Sequence, residues 1–434
     1  MSEEKEKRRL RIAIFHCGFA YSGGGERIVL EEVRGLRRLG HEVACFAPTL
    51  DKEVAYPDFI EEVGVKTFLP QPPKALPFRD ALSMALSSLL APLLALRFRK
   101  YDAFVGANQP GAWIAYCVAK VFGKPYVVYL NQPNRLIYPR EIDVETGWQT
   151  KKDYYLLNEL VQRIKSFVAW ADRVSFTGAA TMLANGGYIA RVIEKIYGRP
   201  QTLCPAGCHA APEGELASTN PHQAYEGSFV INGFTVQKPY VLITNRHDPQ
   251  KKFEYVIQSM REVLRTVPEA SLAIPGPATS HTPKLIALRD ELGLEDKVLF
   301  LGQITERELQ RLYQDAAVYC YPAPEEDFGM GVIESMAWAV PVVAWNHAGP
   351  TVTVVPGETG YLAWPYEVSD YAAKITALLK DPERRAAMGR AGYCCVKEHF
   401  TWERHVEILE RAIQEAVAEA HPSLVPEPAR ESGG

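Results

Sequence analysis

The fold is decided by residues 10–47, LRIAIFHCGFAYSGGGERIVLEEVRGLRRLGHEVACFA. An apolar strand at Leu10–His16 is followed by a glycine turn at Gly23–Gly25. A helix is expected over Glu26–Leu39, because its apolar residues recur three and four positions apart, and a second strand is expected at His41–Ala47. A strand, a glycine turn, a helix and a strand in this order are typical of a doubly wound parallel α/β sheet.

The same alternation continues in both halves of the chain. In the N-terminal half, further strands are expected at Ala103–Gly106, Tyr126–Leu130 and Arg173–Phe176. Helices are expected in the C-terminal half at Phe253–Thr266 and at Thr305–Asp315, and the second begins with the spacing of a capping box. The strands expected there are Tyr240–Thr244, Ser271–Ile274, Val298–Leu301, Val318–Tyr321, Val340–Ala344 and Gly360–Ala363.

This pattern predicts an α/β protein with two doubly wound Rossmann-like domains that face each other across a cleft. The polar, turn-rich stretch 210–238 separates the two halves, so the expected domains are residues 1–235 and 236–400. A final amphipathic helix is expected at 401–420, followed by a disordered tail at 421–434 with the composition of a linker. Ligands of such sheets bind where the carboxyl ends of the strands meet the cleft.

Composition excludes several classes of protein. The chain has 434 residues, and 48 Lys and Arg against 52 Asp and Glu give a net charge of −4, which argues against a nucleic-acid-binding protein. Its eight cysteines are sparse and lie mostly in apolar runs, which is typical of reduced thiols. Neither the hydrophobic region of a signal peptide nor an apolar run of ~18 residues is expected, so the predicted location is the cytoplasm or the cytoplasmic face of a membrane.

The strongest chemical motif is residues 322–334, PAPEEDFGMGVIE, in a loop between a strand and a helix. Glu326 and Glu334 are eight positions apart, about 12 Å if the segment were wholly helical. That separation suits two carboxylates that hold the hydroxyl groups at opposite ends of a bent nucleotide sugar. The alternative is a loop whose acidic residues are solvated at the start of a helix.

Two further motifs could bind phosphate. Arg246 and Lys251 follow the first strand of the second sheet, where two cations could hold a diphosphate, although a solvated run of charge is the alternative. The turn Gly23–Gly25 lacks the Lys-Ser/Thr ending of a phosphate loop and the Gly-x-Gly-x-x-Gly pattern of a dinucleotide site. It could still present backbone N–H groups to a phosphate, or it could be a tight turn only.

Together these motifs resemble the retaining, nucleotide-sugar-dependent glycosyltransferases of family 4, which have the GT-B fold. The resemblance covers residues 10–420, and GGGERIVLEEV at Gly23–Val33 with the loop Ala348–Pro350 is most similar to the α-mannosyltransferases. It implies transfer of a hexose of the mannose or glucose type from a nucleotide sugar to a glycan or a lipid-linked acceptor. No metal and no cofactor beyond this substrate is implied.

The resemblance also implies a role for individual residues. Glu326, Arg246 and Lys251 would be catalytic, with Glu326 on the donor sugar and the two cations on the diphosphate, and Glu334 would bind the ribose. The final helix would pack back on the N-terminal domain. The other donor-site candidates are Phe328, Gly329, Met330, Gly24, Gly25, Gly276 and Ile304, and the candidates on the acceptor side are His16, Asn131 and Arg135.

The sequence departs from the family pattern at four positions. Asn131 stands where a His is expected, Lys252 and Asp327 where Gly is frequent, and Val352 where Glu is frequent. A sugar-nucleotide epimerase or phosphorylase of the same fold, and a non-catalytic nucleotide-sugar- or glycan-binding protein, remain alternatives. Residues 82–100, an apolar stretch with basic flanks, are expected to form a core helix or, alternatively, a peripheral contact with a membrane.

Overall fold

The computed structural model describes residues 9–73, 75–76, 78–147, 159, 161–216 and 227–420. The predicted tail at 421–434 lies outside the described residues, as does the part of the polar stretch from 217 to 226.

The N-terminal domain is built on a seven-stranded parallel sheet with the order β3-β2-β1-β4-β5-β6-β7. Its central strands are buried on both faces by helices, as expected for a doubly wound sheet. The strands are β1 Arg11–His16, β2 Glu42–Ala47, β3 Lys66–Thr67, β4 Ala103–Ala107, β5 Tyr126–Leu130, β6 Thr181–Ala184 and β7 Thr202–Leu203. The helices are α1 Gly24–Arg38, α2 Pro57–Val63, α3 Arg79–Leu94, α4 Asn108–Phe122, α5 Glu141–Glu145, α6 Lys165–Thr177 and α7 Gly187–Tyr197.

The C-terminal domain has a six-stranded parallel sheet with the order β12-β11-β10-β13-β14-β15. All six strands expected from the sequence are confirmed, and so is the capping box of Thr305 and Glu308. The strands are β10 Tyr240–Leu242, β11 Ser271–Pro275, β12 Val298–Gly302, β13 Val318–Tyr321, β14 Val342–Trp345 and β15 Gly360–Ala363. The helices are α8 Phe253–Thr266, α9 Thr282–Glu291, α10 Glu306–Asp315, α11 Met330–Met336, α12 Pro350–Thr353, α13 Val368–Lys380, α14 Pro382–His399 and α15 Trp402–Ala420.

Two predictions for the middle of the chain differ from the structure. Arg173–Phe176 was expected as a strand but lies inside α6, where the Arg173 guanidinium donates to the carbonyls of Ile196 and Tyr197. The expected domain boundary at residue 235 falls inside an antiparallel hairpin of β8 Ser228–Ile231 and β9 Phe234–Gln237. At its turn, Asn232 donates to the carbonyls of Leu301 and Gln303, which places the hairpin on the C-terminal sheet.

The last helix, α15, follows the C-terminal domain in sequence but packs on α1 of the N-terminal domain. A Cβ at Gly35 of α1 would lie 2.4 Å from Cγ2 of Val406, so the two helices touch at this glycine. In the same contact, His405 Nε2 is 3.3 Å from Glu32 Oε1, and both side chains are buried. The chain returns to the N-terminal domain beside the segment by which it left, because the Cys208 N–H donates to the Phe400 carbonyl at 2.9 Å.

Helix α3 is not the core helix that was expected. Together with the following 3₁₀ turn it gives one 20-residue helix, Arg79–Phe98, with a mean hydropathy of 1.7. By length and composition this helix could cross a membrane, although its uncharged run, residues 81–96, is shorter than the apolar run of ~18 residues considered in the sequence. Only 28% of it is buried, and its leucines are mostly on the outside. A single helix of this kind is weak evidence of a membrane-spanning segment.

The topology of the C-terminal sheet places the site. Strand β10 lies between β11 and β13, so the chain moves to the other side of β10 when it enters β13. At such a point the loops after the two strands diverge and leave a crevice, in which ligands of doubly wound sheets bind. The loop after β10 carries Arg246 and Lys251, and the loop after β13 carries Glu326.

Candidate functional site

Lys251 and Glu326 form the central ion pair of the crevice. Nζ of Lys251 donates to Oε2 of Glu326 at 2.5 Å. Burial alone would raise the pKa of Glu326, whose side chain is 20% exposed, but the charges of Lys251 and Arg140 and the Lys251 hydrogen bond lower it to about 2. The carboxylate is therefore ionised at neutral pH, and the ammonium group is held against it.

Glu334 lies on α11 and faces the N-terminal domain. The hydroxyl of Tyr313 donates to Oε2 of Glu334 at 3.2 Å, and the Arg27 guanidinium of α1 is 3.8 Å from Oε1. Burial raises the pKa of this carboxyl, against the lowering by Arg27 and the Tyr313 hydrogen bond. Helix α11 begins only at Met330, so the segment from Glu326 to Glu334 is not wholly helical. The separation of about 12 Å, which was worked out for a continuous helix, therefore does not apply.

Arg246 points towards the glycine turn of the other domain. Its guanidinium is 3.3 Å from Asp248 and lies over the ring of Tyr21, 4.8 Å from the centroid. Glu26, in the first turn of α1, is buried, and burial raises its pKa to about 7 although Arg246 lowers it. More than half of the Arg246 side chain remains exposed, so its guanidinium can reach a ligand in the cleft.

The glycine turn meets the donor loops at close range. A Cβ at Gly24 would lie 3.1 Å from Cγ of Met330, and a Cβ at Gly25 would lie 3.3 Å from Nδ2 of Asn131. Larger side chains at these two positions would therefore fill the space between the domains. The structure thus brings the glycine turn against Met330 and Asn131.

Backbone conformation explains two other glycines among the candidates. Gly329 precedes α11 with φ +90°, and Gly276 has φ +132° and donates to the Gly302 carbonyl at 2.8 Å. A Cβ at Gly276 would lie 2.4 Å from the carbonyl oxygen of Asn245, so the backbones of two loops touch there. Phe328 is buried against the edge of Phe400.

Gly276 lies on the loop that follows β11, and Ile304 lies on the loop that follows β12. Ile304 is half-buried against the main core and directly precedes the cap of α10. Both residues are at carboxyl ends of strands of the C-terminal sheet, as a donor-binding role requires.

The three acceptor-side candidates lie in different environments. His16, at the end of β1, is buried, and burial lowers its pKa to about 4, so its ring is neutral at pH 7. Both amide atoms of Asn131 are buried and have no hydrogen-bond partner among the described residues. Arg135 pairs with Asp327 of the C-terminal domain at 3.4 Å. No group of three or more His, Cys, Asp or Glu residues in the described part of the chain could hold a metal ion.

Two family models match the chain over these same domains. The model described as Glycosyltransferase Family 4 matches residues 22–207, and the model described as Glycosyl transferases group 1 matches residues 226–394. The two matches cover the C-terminal sheet, every strand of the N-terminal sheet except β1, and every donor-site candidate. The chain belongs to glycosyltransferase family 4.

Individual relatives of this glycosyltransferase agree. It is 24% identical over 437 residues to the alpha-1,3/1,6-mannosyltransferase ALG2 of Dictyostelium discoideum, which covers 94% of this chain and 99% of the relative. It is 28% identical over 263 residues to the D-inositol 3-phosphate glycosyltransferase of Nocardia farcinica, 59% of this chain and about half (55%) of that relative. HepE of Anabaena, solved in complex with UDP, superposes with a TM-score of 0.67 at 17% identity and covers 96% of this chain and 100% of HepE. This likeness confirms the GT-B fold.

Several residues of the glycosyltransferase site were not predicted from the sequence. Tyr313 and Arg27 contact Glu334, and the hydroxyls of Thr244 and Tyr319 are 2.8 Å apart beside them. They come from four separate elements, so no local spacing connects them. Arg27 directly follows the glycine turn, which is the one signal that could have indicated it.

Proposed function

We propose that this glycosyltransferase transfers a hexose, of the mannose or glucose type, from a nucleoside-diphosphate sugar to a hydroxyl group of a glycan or lipid-linked acceptor, with retention at the anomeric carbon. The observation that carries the proposal is the arrangement of Lys251, Glu326, Arg246 and Glu334 around one crevice, opposite Gly24. In this proposal both cations contact the diphosphate, and both carboxylates accept hydrogen bonds from sugar hydroxyls.

In the proposed reaction the bond between the anomeric carbon and the phosphate oxygen breaks, and the acceptor oxygen bonds to the same face of that carbon. The departing phosphate takes the proton of the acceptor hydroxyl, so no nucleophile of the protein is needed. Lys251 and Arg246 stabilise the negative charge that develops on the phosphate, which is the type of interaction that contributes most in such sites. In this proposal the two side chains supply the stabilising positive charge that a metal ion would otherwise provide.

In the proposed site Lys251 contacts both Glu326 and the diphosphate of the donor. Its ammonium group pairs with Glu326, so the carboxylate is fixed before the donor binds. A diphosphate that enters the crevice would share the ammonium group, and Glu326 would then accept a hydrogen bond from the donor sugar. Glu334, bonded to Tyr313, would hold the ribose at the other end.

A panel of nucleotide sugars and free nucleotides in a thermal-shift assay would test the donor. A ligand at about 100 times its Kd adds about 2.7 kcal/mol to the free energy of unfolding, which is measurable. Turnover of the best ligand is then assayed with and without acceptors. Transfer supports the proposal, whereas conversion of the donor without an acceptor would indicate an epimerase, and binding without any product would indicate a non-catalytic protein.

We further propose that the acceptor is lipid-linked and that the enzyme contacts a membrane, on the cytoplasmic face, through residues 82–100. Helix α3 is inverted: its buried face carries the small residues Ser83, Ser87 and Ala91, and two of these have hydroxyls without a partner among the described residues. Its outer face carries a line of leucines, of which Leu89 and Leu93 are each 74% exposed. Such a surface is unfavourable in water.

The surroundings of this line fit an anionic bilayer. The exposed cations Arg97, Arg99 and Lys100 follow the helix, and basic residues beside an apolar face bind anionic headgroups. Phe167 and Trp170 of α6 are also exposed, and Trp170 contacts Trp113, whose indole N–H donates to the Ser88 carbonyl of α3. Exposed aromatic residues are typical of the interface between water and lipid.

Flotation with vesicles containing an anionic phospholipid would test this contact. The protein is expected to float, and Leu89→Ser with Leu93→Ser is expected to leave it in the soluble fraction. The control is Leu203→Ser with Val230→Ser, which changes two other exposed apolar residues and should not alter flotation. A wild-type protein that stays soluble, or that forms a dimer abolished by the α3 variant, would contradict the proposal.

A further inference from the structure

Both neighbours of Lys251 are held by the N-terminal domain. Nε2 of Gln250 donates to Oδ1 of Asp143 at 2.6 Å, and Nζ of Lys252 donates to Oε1 of Glu145 at 2.6 Å. Asp143 and Glu145 lie on the short helix α5. The position of Lys251 is therefore set from both sides by contacts across the cleft.

Both neighbours of Glu326 are held in the same way. The Arg140 guanidinium donates to the Glu325 carbonyl at 2.7 Å, and the Ile142 N–H donates to the Glu325 carboxylate at 2.7 Å. On the other side, Arg135 donates to Oδ2 of Asp327 at 3.4 Å. All of these partners belong to residues 135–145, which we call the bridge segment.

The charges of the bridge segment are buried and linked to each other. The Asp143 side chain is fully buried and accepts hydrogen bonds from Arg140 at 3.0 and 3.1 Å. Burial alone would raise the pKa of Asp143, but Arg140 and Arg135 lower it. Buried charges are costly unless they are paired, so only a narrow range of relative positions of the two domains satisfies the network.

Two of these contacts are made by residues at which the sequence departs from the family pattern. Lys252 and Asp327 stand where the resemblance implies that glycine is frequent, and each pairs with the bridge segment. Glycine could make neither side-chain contact.

We propose that the bridge segment is a positioning element that aligns Lys251 with Glu326 when the domains close, with Arg140, Asp143 and Glu145 as positioning residues rather than catalytic ones. The inference rests on the proposed function, because it concerns the same ion pair. Opening of the cleft separates Gln250 and Lys252 from α5, and Glu325 from Arg140. The loops that carry the two reactive side chains then lose their shared support, so chemistry is restricted to the closed state.

A charge swap in the full-length protein tests this role. Lys252→Glu is expected to lower kcat by about tenfold or more, because a displacement of 1 Å can cost about 100-fold, while the KM for the donor changes little. The double variant Lys252→Glu with Glu145→Lys is expected to restore kcat to within about threefold of wild type, since the pair is re-formed. Small-angle X-ray scattering should show a larger radius of gyration for the single variant and the wild-type value for the swap.

The matched control is Lys238→Glu, which breaks the 2.9 Å pair with Asp315 in the C-terminal domain. It is expected to lower Tm like Lys252→Glu but to leave kcat unchanged. Wild-type kcat in Lys252→Glu, or a folded swap variant without recovery, would overturn the inference. If no nucleotide sugar is turned over by the wild type, the proposed function fails by itself, and the scattering result still decides: an unchanged radius of gyration in Lys252→Glu would overturn the bridge.

Discussion

Replacement of Lys251 by Met would test the central ion pair most directly. The ammonium group and Glu326 are 2.5 Å apart, and the lowering of the Glu326 pKa from 4.5 to about 2 corresponds to about 3 kcal/mol in favour of the carboxylate. Loss of one charge that stabilises a transition state typically costs about 3–4 kcal/mol, so we expect kcat to fall about 100- to 1,000-fold.

The same change has a second consequence for pH. Without Lys251, burial still opposes ionisation of Glu326 and its strongest stabilising charge is lost, although Arg140 and Arg135 still lower the pKa, so the pKa should rise. The acid limb of the profile of kcat/KM against pH is therefore expected to move to higher pH in Lys251→Met. Steady-state kinetics with a saturating acceptor, measured across the pH range, would detect the shift.

Two further variants separate catalysis from folding. Lys251→Met with Glu326→Gln removes the unpaired buried charge, so it should recover the thermal stability lost by Lys251→Met but not the activity. Lys374→Met is the control, because Lys374 is paired with Asp370 and is as exposed as Lys251, at 24% against 23%. Turnover by Lys251→Met within about threefold of wild type would refute the role of the pair.

Four other single substitutions are open to measurement. Arg246→Ala and Glu334→Gln are each expected to lower turnover by about tenfold or more with the fold intact, and wild-type rates in either would refute the assignment. Glu26 has a pKa of about 7 in the folded state, so between pH 4.5 and 7 the folded protein holds a proton that the unfolded chain has released, and the free energy of unfolding falls as pH rises through this window. Glu26→Gln should therefore stabilise the protein at about pH 8, by up to about 3 kcal/mol, and have little effect near pH 4.5. Denaturant unfolding at both pH values would measure this difference. The prediction is contradicted if the free energy of unfolding depends on pH in the same way in the variant and in the wild type. Gly35→Ala should lower the free energy of unfolding by about 1–3 kcal/mol despite the better helix propensity of Ala, because its Cβ would lie 2.4 Å from Val406. Adding Val406→Ala should relieve the contact, so a double variant less stable than Gly35→Ala would refute the reasoning.

Local patterns predicted the sheets well. Strands buried on both faces are short apolar runs, such as Val342–Trp345, and they are bounded by proline, glycine or charged residues. The same rule fails at Arg173–Phe176, which lies in a helix, because a run of four residues is too short to show a period of its own. Composition likewise identified α3 but could not show which of its faces would be buried.

The site was predictable only where it is local in sequence. Glu326, Glu334, Arg246 and Lys251 follow strand ends in two motifs, and the structure places them around one crevice. Contacts such as Arg27 with Glu334 and Glu145 with Lys252 join residues far apart in the chain, so they depend on the relative position of the two domains. The resemblance implied glycine at two positions, and the side chains found there, Lys252 and Asp327, both make contacts across the cleft.

The return of the chain beside its point of departure restricts how the two domains can move. Cys208 and Phe400 are joined by a backbone hydrogen bond, and a Cβ at Gly207 would lie 2.3 Å from the nitrogen of Trp402. Two adjacent covalent connections permit rotation about a line that passes through them but oppose sliding or separation of the lobes. The two connections therefore form a hinge, and the cleft opens and closes for substrates and products by rotation of the domains about this one axis.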